Sequence, residues 1–259
     1  MLDLLAIGEV MAEIRNGSGD VNSPDFSVGF AGDTYNTAVY CKRSLGDDGK
    51  VGFMSHVGQD NLSLTLIKEV ARHGLETAYI ARDEQAQIGI YSVSTSPDGE
   101  RSFDYWRDRS AARQMFSTMA TTPELPKARI YYVSGITMAI LTPHARTQLV
   151  QALKTQKDKG ALIAFDSNYR PKLWESKALA QQTISNMWGL SDIALPSIDD
   201  EMDLFDESSE QSVIDRFTAL NPTTCAIKRG HKGPFAPSIG LQQAHNFEPV
   251  KKVVDTTAA

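Results

Sequence analysis

Two hydrophobic patterns alternate along this chain. Short, nearly continuous apolar runs predict buried β-strands: DLLAIG, VGFMSHVG, RIYYVSG, ALIAFD, DIALP and TTCAIKRG. Segments with apolar residues at helical spacing lie between these runs. The clearest is residues 142–160, in which Thr142 is the expected N-cap and Pro143 the first helical residue. Strands that alternate with amphipathic helices predict an α/β fold, namely a doubly wound, mainly parallel sheet with helices on both faces.

Two stretches interrupt this alternation, at roughly 9–30 and 87–106. Both contain turn residues between short alternating segments. The second predicts a hairpin, in which IGIYSVST and RSFDYW are joined by SPDGE. Since both stretches fall between strand–helix units, we expect them to form a small β-sheet lid on a single domain that spans residues 1–259. Such lids commonly exclude water from a site at the carboxyl ends of parallel strands.

Composition and charge exclude several classes of protein. The chain has 259 residues, of which 41% are hydrophobic and 22% charged, so it can bury a full core. Its net charge of −6 leaves no basic face for a phosphate backbone, and nucleic acid is not an expected partner. No apolar run reaches the length of a membrane span. With no basic leader at the N-terminus and only Cys41 and Cys225, we expect a cytoplasmic protein.

Familiar motifs of other chemistries are absent. The sequence contains no phosphate loop of the type G-x-x-x-x-G-K-[ST], no G-x-G-x-x-G after the first strand and no H-E-x-x-H. The five histidines show no metal-ligand spacing. The candidate chemistry is therefore carried by polar residues at the ends of predicted strands.

The first candidate group lies in GFAGDTYN, at the beginning of a predicted helix. Gly32 allows close backbone approach, and Asp33 and Asn36 lie one turn apart on the first turn of the helix. Together they could bind a polar ligand. The alternative is that Asp33 is an ordinary helix N-cap.

The second candidate group lies in the predicted hairpin. Tyr91 and Tyr105 are on opposite strands and could flank a small polar ligand, while Arg107 could bind a carboxylate with its planar guanidinium. The alternative is an ordinary exposed sheet edge with cross-strand aromatic pairs.

The third and fourth groups follow later strands. In FDSNYRP, Asp166, Asn168 and Arg170 leave the end of a buried strand together, which is a suitable place to bind an anion. In CAIKRGHKG a strand enters a glycine-containing turn, whose amides could face a nucleotide; its candidate residues are Lys228, Gly230 and Gly233.

These motifs, taken together and in order, resemble the ribokinase-like (PfkB) carbohydrate kinases, and most closely the 2-keto-3-deoxygluconate kinases (2-dehydro-3-deoxygluconokinases). The resemblance is carried by GFAGDTYN, by YWR within FDYWR, by DSNYRP, by the KRG turn and by DTTAA at residues 255–259. It implies a doubly wound α/β domain with a β-sheet lid. It also implies transfer of the γ-phosphoryl group of ATP, with Mg²⁺, to the 6-hydroxyl of 2-keto-3-deoxy-D-gluconate.

The resemblance assigns roles to individual residues. Substrate-binding residues would be Gly32, Asp33, Asn36, Tyr91, Tyr105, Arg107 and Arg170, with Arg170 also placed between substrate and phosphate in a catalytic role. ATP-binding residues would be Asn168, Ser197, Lys228, Gly230 and Gly233. Asp255 and Thr257 resemble residues that bind a monovalent cation such as K⁺ in related sugar kinases.

Two departures from the family pattern matter. Where the family commonly has Asn-x-x-Glu, this chain has SIDDE at 197–201, so the carboxylate on the Mg²⁺ side is either Asp200 or Glu201. In the family, DTTAA precedes Gly-Asp and a helix whose amides form an anion hole, and that Asp is the catalytic base. We therefore expect the base just beyond Ala259, in a C-terminal segment that this sequence lacks.

The sequence leaves two alternatives to this function open. Another PfkB-family kinase, acting on ribose, fructose or a similar sugar, would leave Arg107 without a carboxylate to bind. A truncated, non-catalytic sugar-acid binding protein would bind ligand without releasing ADP. The expected partners are a small sugar acid, ATP and a second copy of the chain bound through the lid, with neither a membrane nor nucleic acid among them.

Overall fold

The computed structural model describes residues 1–16, 25–95, 101–117 and 120–237. The strands of the described residues are β1 (Leu2–Ile7), β2 (Met11–Asn16), β3 (Phe26–Ala31), β4 (Val51–Val57), β5 (Ile80–Arg82), β6 (Ile90–Thr95), β7 (Arg101–Trp106), β8 (Ala128–Ser134), β9 (Leu162–Asp166), β10 (Ile193–Ala194) and β11 (Thr224–Cys225). The helices are α1 (Asp33–Leu45), α2 (Asn61–Arg72), α3 (Gly135–Ile140), α4 (Pro143–Asp158), α5 (Lys177–Leu190), α6 (Ile198–Phe205) and α7 (Glu210–Leu220). No helix in these ranges is long and apolar enough to cross a membrane.

The main sheet has seven parallel strands in the order β11-β10-β9-β8-β1-β4-β5. Alternate side chains of the central strand β1 point to opposite faces: Leu5 and Ile7 join one core, whereas Leu4 and Ala6 join the other. Residues of α1 and α2 pack on the second face, and residues of α4, α5 and α7 pack on the first. The predicted doubly wound α/β class is confirmed.

A second, four-stranded sheet has the order β3-β2-β6-β7, and we call it the lid. The hairpin of β6 and β7 is antiparallel, as the sequence predicts, and β2 pairs in parallel with β6. The first lid pair is inserted between β1 and α1, and the second between β5 and β8. Both insertions therefore leave the main sheet at its carboxyl edge, and the chain returns from the second one to the beginning of β8 at the opposite edge.

The last two strands are shorter than the apolar runs that predict them. Of DIALP only Ile193–Ala194 is a strand, and of TTCAIKRG only Thr224–Cys225. After β10, Pro196 lacks the N–H that would continue the strand's hydrogen bonds. Beyond Cys225 the pairing is limited to isolated bridges, Ser197 with Lys228 and Ile227 with Phe235. The sheet therefore passes into loops close to the predicted nucleotide residues.

Strand order also locates the site. The chain continues from β1 to β4 and β5 on one side, and later from β8 to β11 on the other. In such sheets ligands bind outside the carboxyl ends of the strands, where the strand order reverses. Here that position is the end of β1 and β8, below the lid.

Gly135, the first residue of α3, is required by a close backbone approach. A Cβ atom at this position would lie 1.8 Å from the carbonyl oxygen of Ser167, in the segment that carries Asn168. We expect Gly135→Ala to lower the free energy of unfolding by about 1–3 kcal/mol, because the main chain at either Gly135 or Ser167 must move to make room for the methyl group. Urea unfolding measures this change.

A matched control is Gly189→Ala in α5. Gly189 is exposed, and a Cβ atom built there has no heavy atom within 4 Å among the described residues. Alanine should stabilise this helix by roughly 0.5–1 kcal/mol. Equal unfolding midpoints for the two variants would contradict the packing argument.

Candidate active site

A cleft of about 240 Å³ lies between the carboxyl edge of the main sheet and the lid. Eight of the residues predicted from the sequence line it, although they come from separate segments of the chain. They are Gly32, Asp33, Asn36, Tyr91, Tyr105, Arg107, Asn168 and Arg170. The fold thus brings the predicted sugar-binding residues together in one place.

Asp33 begins α1 but does not cap it. Gly32 occupies the N-cap position, so the interpretation of Asp33 as an ordinary cap is wrong. Asp33 Oδ2 instead accepts a hydrogen bond of 2.9 Å from Asn168 Nδ2. Gly32 is needed here because a Cβ atom would lie 2.2 Å from the carbonyl oxygen of Glu9. The carboxylate of Asp33 therefore contacts Asn168 across the cleft as well as the first turn of its own helix.

The electrostatic environment of Asp33 favours the neutral carboxyl. Loss of hydration raises its pKa, and the negative charge of Asp166 acts in the same direction, whereas hydrogen bonds from Ser134, Thr34 and Asn168 oppose the shift. A carboxyl that has lost its water in this way can exchange hydrogen bonds with the hydroxyls of a ligand.

Asn168 adopts a left-handed backbone conformation, with φ of 27°. This conformation is uncommon for residues other than glycine, and asparagine tolerates it better than most. It is held by a hydrogen bond of 3.0 Å from Asn168 N to Asp166 Oδ1. The turn after β9 therefore points the amide of Asn168 into the cleft.

Arg107 is buried, with 6% of its side chain exposed, and it already has an ionic partner. Its Nη2 donates to Oε2 of Glu9, and Ser110 Oγ donates to the other oxygen of the same carboxylate. Within the described residues, Nε of Arg107 has no acceptor. The guanidinium thus keeps a buried, unused donor while lining the cleft.

Tyr91 and Tyr105 are direct cross-strand neighbours in the lid hairpin. Their rings stack, with 5.8 Å between centroids, so the two tyrosines contact each other instead of standing apart. The hydroxyl of Tyr91 donates a hydrogen bond of 2.6 Å to Glu13. Tyr91 therefore offers the cleft its ring and a hydroxyl lone pair, whereas Tyr105 is about half exposed.

Arg170 lies at the outer part of the cleft and is 52% exposed. Its Nη1 lies 3.3 Å from Asp200 Oδ1, and the other oxygen of Asp200 accepts from the backbone N–H of Tyr169 at 3.2 Å. Burial raises the pKa of Asp200, while Arg170 and Lys228 lower it. Because a partly exposed ion pair is weak, a ligand anion could replace Asp200 as the partner of Arg170 at little cost.

Glu201 faces away from the cleft. Its side chain is fully buried and pairs with Arg216 at 2.9 Å. Burial raises the pKa of Glu201 to about 7 in spite of this arginine. The sequence offers two candidates, Asp200 and Glu201, for the carboxylate near Mg²⁺. Of these two, only Asp200 lies beside Arg170 and Lys228.

The residues predicted to bind the nucleotide lie next to the polar groups at the end of β9. Lys228 Nζ donates to Asp166 Oδ2 at 2.6 Å, and Ser197 is bridged to Lys228 in parallel register. Gly230 and Gly233 both have positive φ, at 54° and 73°, in the turn that follows. The carboxyl ends of β9, β10 and β11 thus lead from the cleft to a glycine turn.

Asp255, Thr257 and the position after Ala259 lie outside the described residues. Within the described residues, no group of three or more His, Cys, Asp or Glu side chains is arranged to hold a metal ion.

Sequence analysis missed three groups that shape the cleft, namely Glu9, Ser110 and Glu13. Glu9 and Glu13 are almost completely buried carboxylates, each with an arginine partner. Their spacing of four residues is visible in the sequence, but no local pattern shows that either carboxylate is buried. Glu13 pairs with nearby Arg15. Arg107 and Tyr91, which donate to Glu9 and Glu13, are distant in sequence, so these two contacts could not be predicted.

A lidded α/β domain with a cleft that combines arginines, carboxylates and a glycine turn has the architecture of a small-molecule phosphotransferase. The chain matches the pfkB family of carbohydrate kinases over residues 1–259. It belongs to this family, and ATP is the phosphoryl donor that the family implies.

Two curated relatives match almost the whole chain. A 2-dehydro-3-deoxygluconokinase of Haemophilus influenzae is 36% identical, covering 100% of this chain and 83% of the relative. A 2-dehydro-3-deoxygluconokinase of Dickeya dadantii is 34% identical, covering 99% of this chain and 84% of the relative. Among solved structures, a PfkB protein from Polaromonas sp. JS666 has a TM-score of 0.78 at 23% identity, covering 91% of this chain and 79% of that one.

Proposed function

We propose that this protein is a 2-keto-3-deoxygluconate kinase, which transfers the γ-phosphoryl group of ATP to the 6-hydroxyl of the sugar acid. The observation that carries the substrate class is Arg107. Its side chain lines the cleft, and its buried Nε–H has no acceptor among the described residues. A ribose or fructose would give this guanidinium only hydroxyl partners, whereas a sugar acid gives it a charge-assisted hydrogen bond. The names of the two curated relatives support the same substrate.

The sugar would lie across the beginning of α1. Asp33 and Asn36 accept from and donate to its hydroxyls, and Gly32 allows the ligand to approach the backbone. Tyr105 and Tyr91 cover one side with their stacked rings. Because the Tyr91 hydroxyl already donates to Glu13, it would act toward the ligand as an acceptor.

The phosphates would lie toward β10 and β11. Arg170 would reach the transferring phosphoryl group, and Asn168 would bind near the phosphates. Ser197, Lys228, Gly230 and Gly233 would line the nucleotide. Catalysis of phosphoryl transfer depends mainly on positioning and on stabilising the developing charge. A row of donors from Arg170 to Lys228 is suited to both.

Asp200 is the proposed carboxylate on the metal side, because it is partly buried and lies beside Arg170. When bound with ATP, Mg²⁺ would neutralise charge on the phosphate oxygens. The monovalent-cation roles of Asp255 and Thr257, and the base expected after Ala259, stay predictions. Cys41 and Cys225 are free thiols, which supports a cytoplasmic location.

The kinase proposal is tested by coupled measurement of ADP release from ATP and Mg²⁺ with 2-keto-3-deoxygluconate, fructose or ribose. We expect turnover with the sugar acid and little with the neutral sugars. Preferred turnover of fructose or ribose would instead establish a different sugar kinase. Binding of the sugar acid by calorimetry without ADP release would establish a non-catalytic binding protein.

We also propose a homodimer formed through the lid. The two edge strands of the lid, β3 and β7, expose large apolar side chains: Phe26, Val28, Phe103 and Trp106. Unpaired edges with apolar surface are usually covered by a partner.

Sedimentation velocity measures this association. Replacing Phe26 and Val28 together by lysine should shift a dimer to a monomer. The control, Leu220→Lys on α7, alters an exposed apolar side chain away from the lid and should leave the dimer intact. A wild-type protein that is monomeric at micromolar concentration would refute the interface.

A further inference from the structure

Glu9 is a carboxylate that is almost completely buried, which is rare for this residue type. It follows Gly8 at the carboxyl end of β1, lines the cleft and is only 2% exposed. Its two oxygens accept from Arg107 Nη2 and from Ser110 Oγ. A buried carboxylate is tolerated only when it is paired in this way. Arg107 is thus charge-compensated before any ligand is bound.

Glu9 has little freedom to move away from Arg107. A Cβ atom at Gly89 would lie 3.0 Å from Glu9 Oε1 and 3.1 Å from Arg107 Cβ, so the chain of the lid packs directly against the pair. The backbone of Glu9 also packs against Gly32, the N-cap residue of α1, where a Cβ atom would lie 2.2 Å from the Glu9 carbonyl oxygen. Its negative charge therefore remains in the cleft when a ligand occupies it.

This fixed charge distinguishes between anions. A bound monocarboxylate would share Arg107 with Glu9, leaving one net negative charge at this end of the cleft. A phosphate dianion would leave two. Because Arg107 lies in the same cleft as the proposed phosphoryl-transfer groups, a fully available arginine would also attract inorganic phosphate and the phosphates of ATP.

We propose that Glu9 is a specificity-determining residue, which lowers the affinity of the Arg107 subsite for all anions and thereby restricts it to a monocarboxylate. This inference rests on the proposed function, in which Arg107 binds the sugar acid. It assigns to Glu9 an electrostatic role that differs from simple orientation of Arg107. An orienting residue would strengthen binding of the acid, whereas a competing charge weakens it.

The test is calorimetric binding to Glu9→Gln, in the absence of ATP. Glutamine keeps the size of the side chain and an oxygen that can accept from Arg107, but removes the charge. Coulomb's law at an effective dielectric constant of about 20 predicts that the sugar acid binds at least about tenfold more tightly. Inorganic phosphate should become a competitor of the sugar acid, while the affinity for fructose should not change.

Two further measurements keep the inference testable if Glu9→Gln folds poorly. In the wild-type protein, millimolar phosphate should not displace the sugar acid; competitive displacement would overturn the proposal. Glu9→Asp retains the charge and should bind the acid without the gain in affinity. Glu201→Gln is the matched control, because it removes another fully buried, arginine-paired carboxylate and should produce neither effect.

The outcomes distinguish the role of Glu9 from that of the acid site at Arg107. Weaker binding of the acid by Glu9→Gln would overturn the charge-competition role and indicate orientation instead. Unchanged binding by Glu9→Gln, together with loss of binding by Arg107→Met, would overturn the role of Glu9 alone. Unchanged acid binding by Arg107→Met would overturn the proposed acid site, and the inference with it.

Discussion

Replacing Arg107 by methionine is expected to raise the Kd and KM for 2-keto-3-deoxygluconate by about 10- to 100-fold, the equivalent of one charge-assisted hydrogen bond. Methionine keeps an unbranched apolar stem but removes the guanidinium. The KM for ATP should change little, because the nucleotide residues lie at β10 and β11. The affinity for fructose should also change little, since a neutral sugar has no carboxylate. Calorimetry and ADP release measure the two constants.

The control for this variant concerns folding. Arg107→Met leaves Glu9 buried without its ionic partner, and breaking a buried pair is strongly destabilising. The double variant Glu9→Gln with Arg107→Met removes both charges. It should recover much of the lost stability and bind the sugar acid less weakly than Arg107→Met, because the competing charge of Glu9 is removed as well. If Arg107→Met itself bound the acid as tightly as the wild type, Arg107 would have no part in acid recognition.

Replacing Arg170 by methionine is expected to lower kcat by about 10² to 10³, with a much smaller change in the KM for the sugar acid. Arg170 is half exposed and its ion pair with Asp200 is weak, so its loss should cost little stability. Its proposed contribution is made when charge develops on the transferring phosphoryl group. That contribution appears in kcat instead of in ground-state binding.

Lys172→Met provides the matched control for Arg170→Met. Lys172 is an exposed cation two residues further along, in the turn at Pro171–Leu173, and it does not line the cleft. It should retain wild-type kcat. An equal loss of kcat in both variants would indicate a general effect of surface charge, and an unchanged kcat in Arg170→Met would remove Arg170 from catalysis.

The hydrophobic pattern alone predicted the fold class. Runs such as ALIAFD are apolar on both faces because a parallel sheet covered by helices buries both faces, and this signal is local. The N-cap at Thr142 was equally local, and in the structure its side chain accepts from Ala145 N at 3.2 Å. The interpretation of Asp33 as a cap failed because its carboxylate is held by Asn168, which lies 135 residues away.

What the sequence by itself determined is the alternation of strands and helices, the lid hairpin and the residue types that meet at the carboxyl edge of the sheet. Each of these depends on residues close together in the chain, through strand alternation, helical spacing or turn chemistry. Only the tertiary structure decided which charges are compensated. It paired Glu9 with Arg107, and it turned Glu201 toward Arg216 while leaving Asp200 beside Arg170. Burial and ion pairing depend on contacts between distant segments, and the energy of a charge is set by those contacts and not by its position in the sequence.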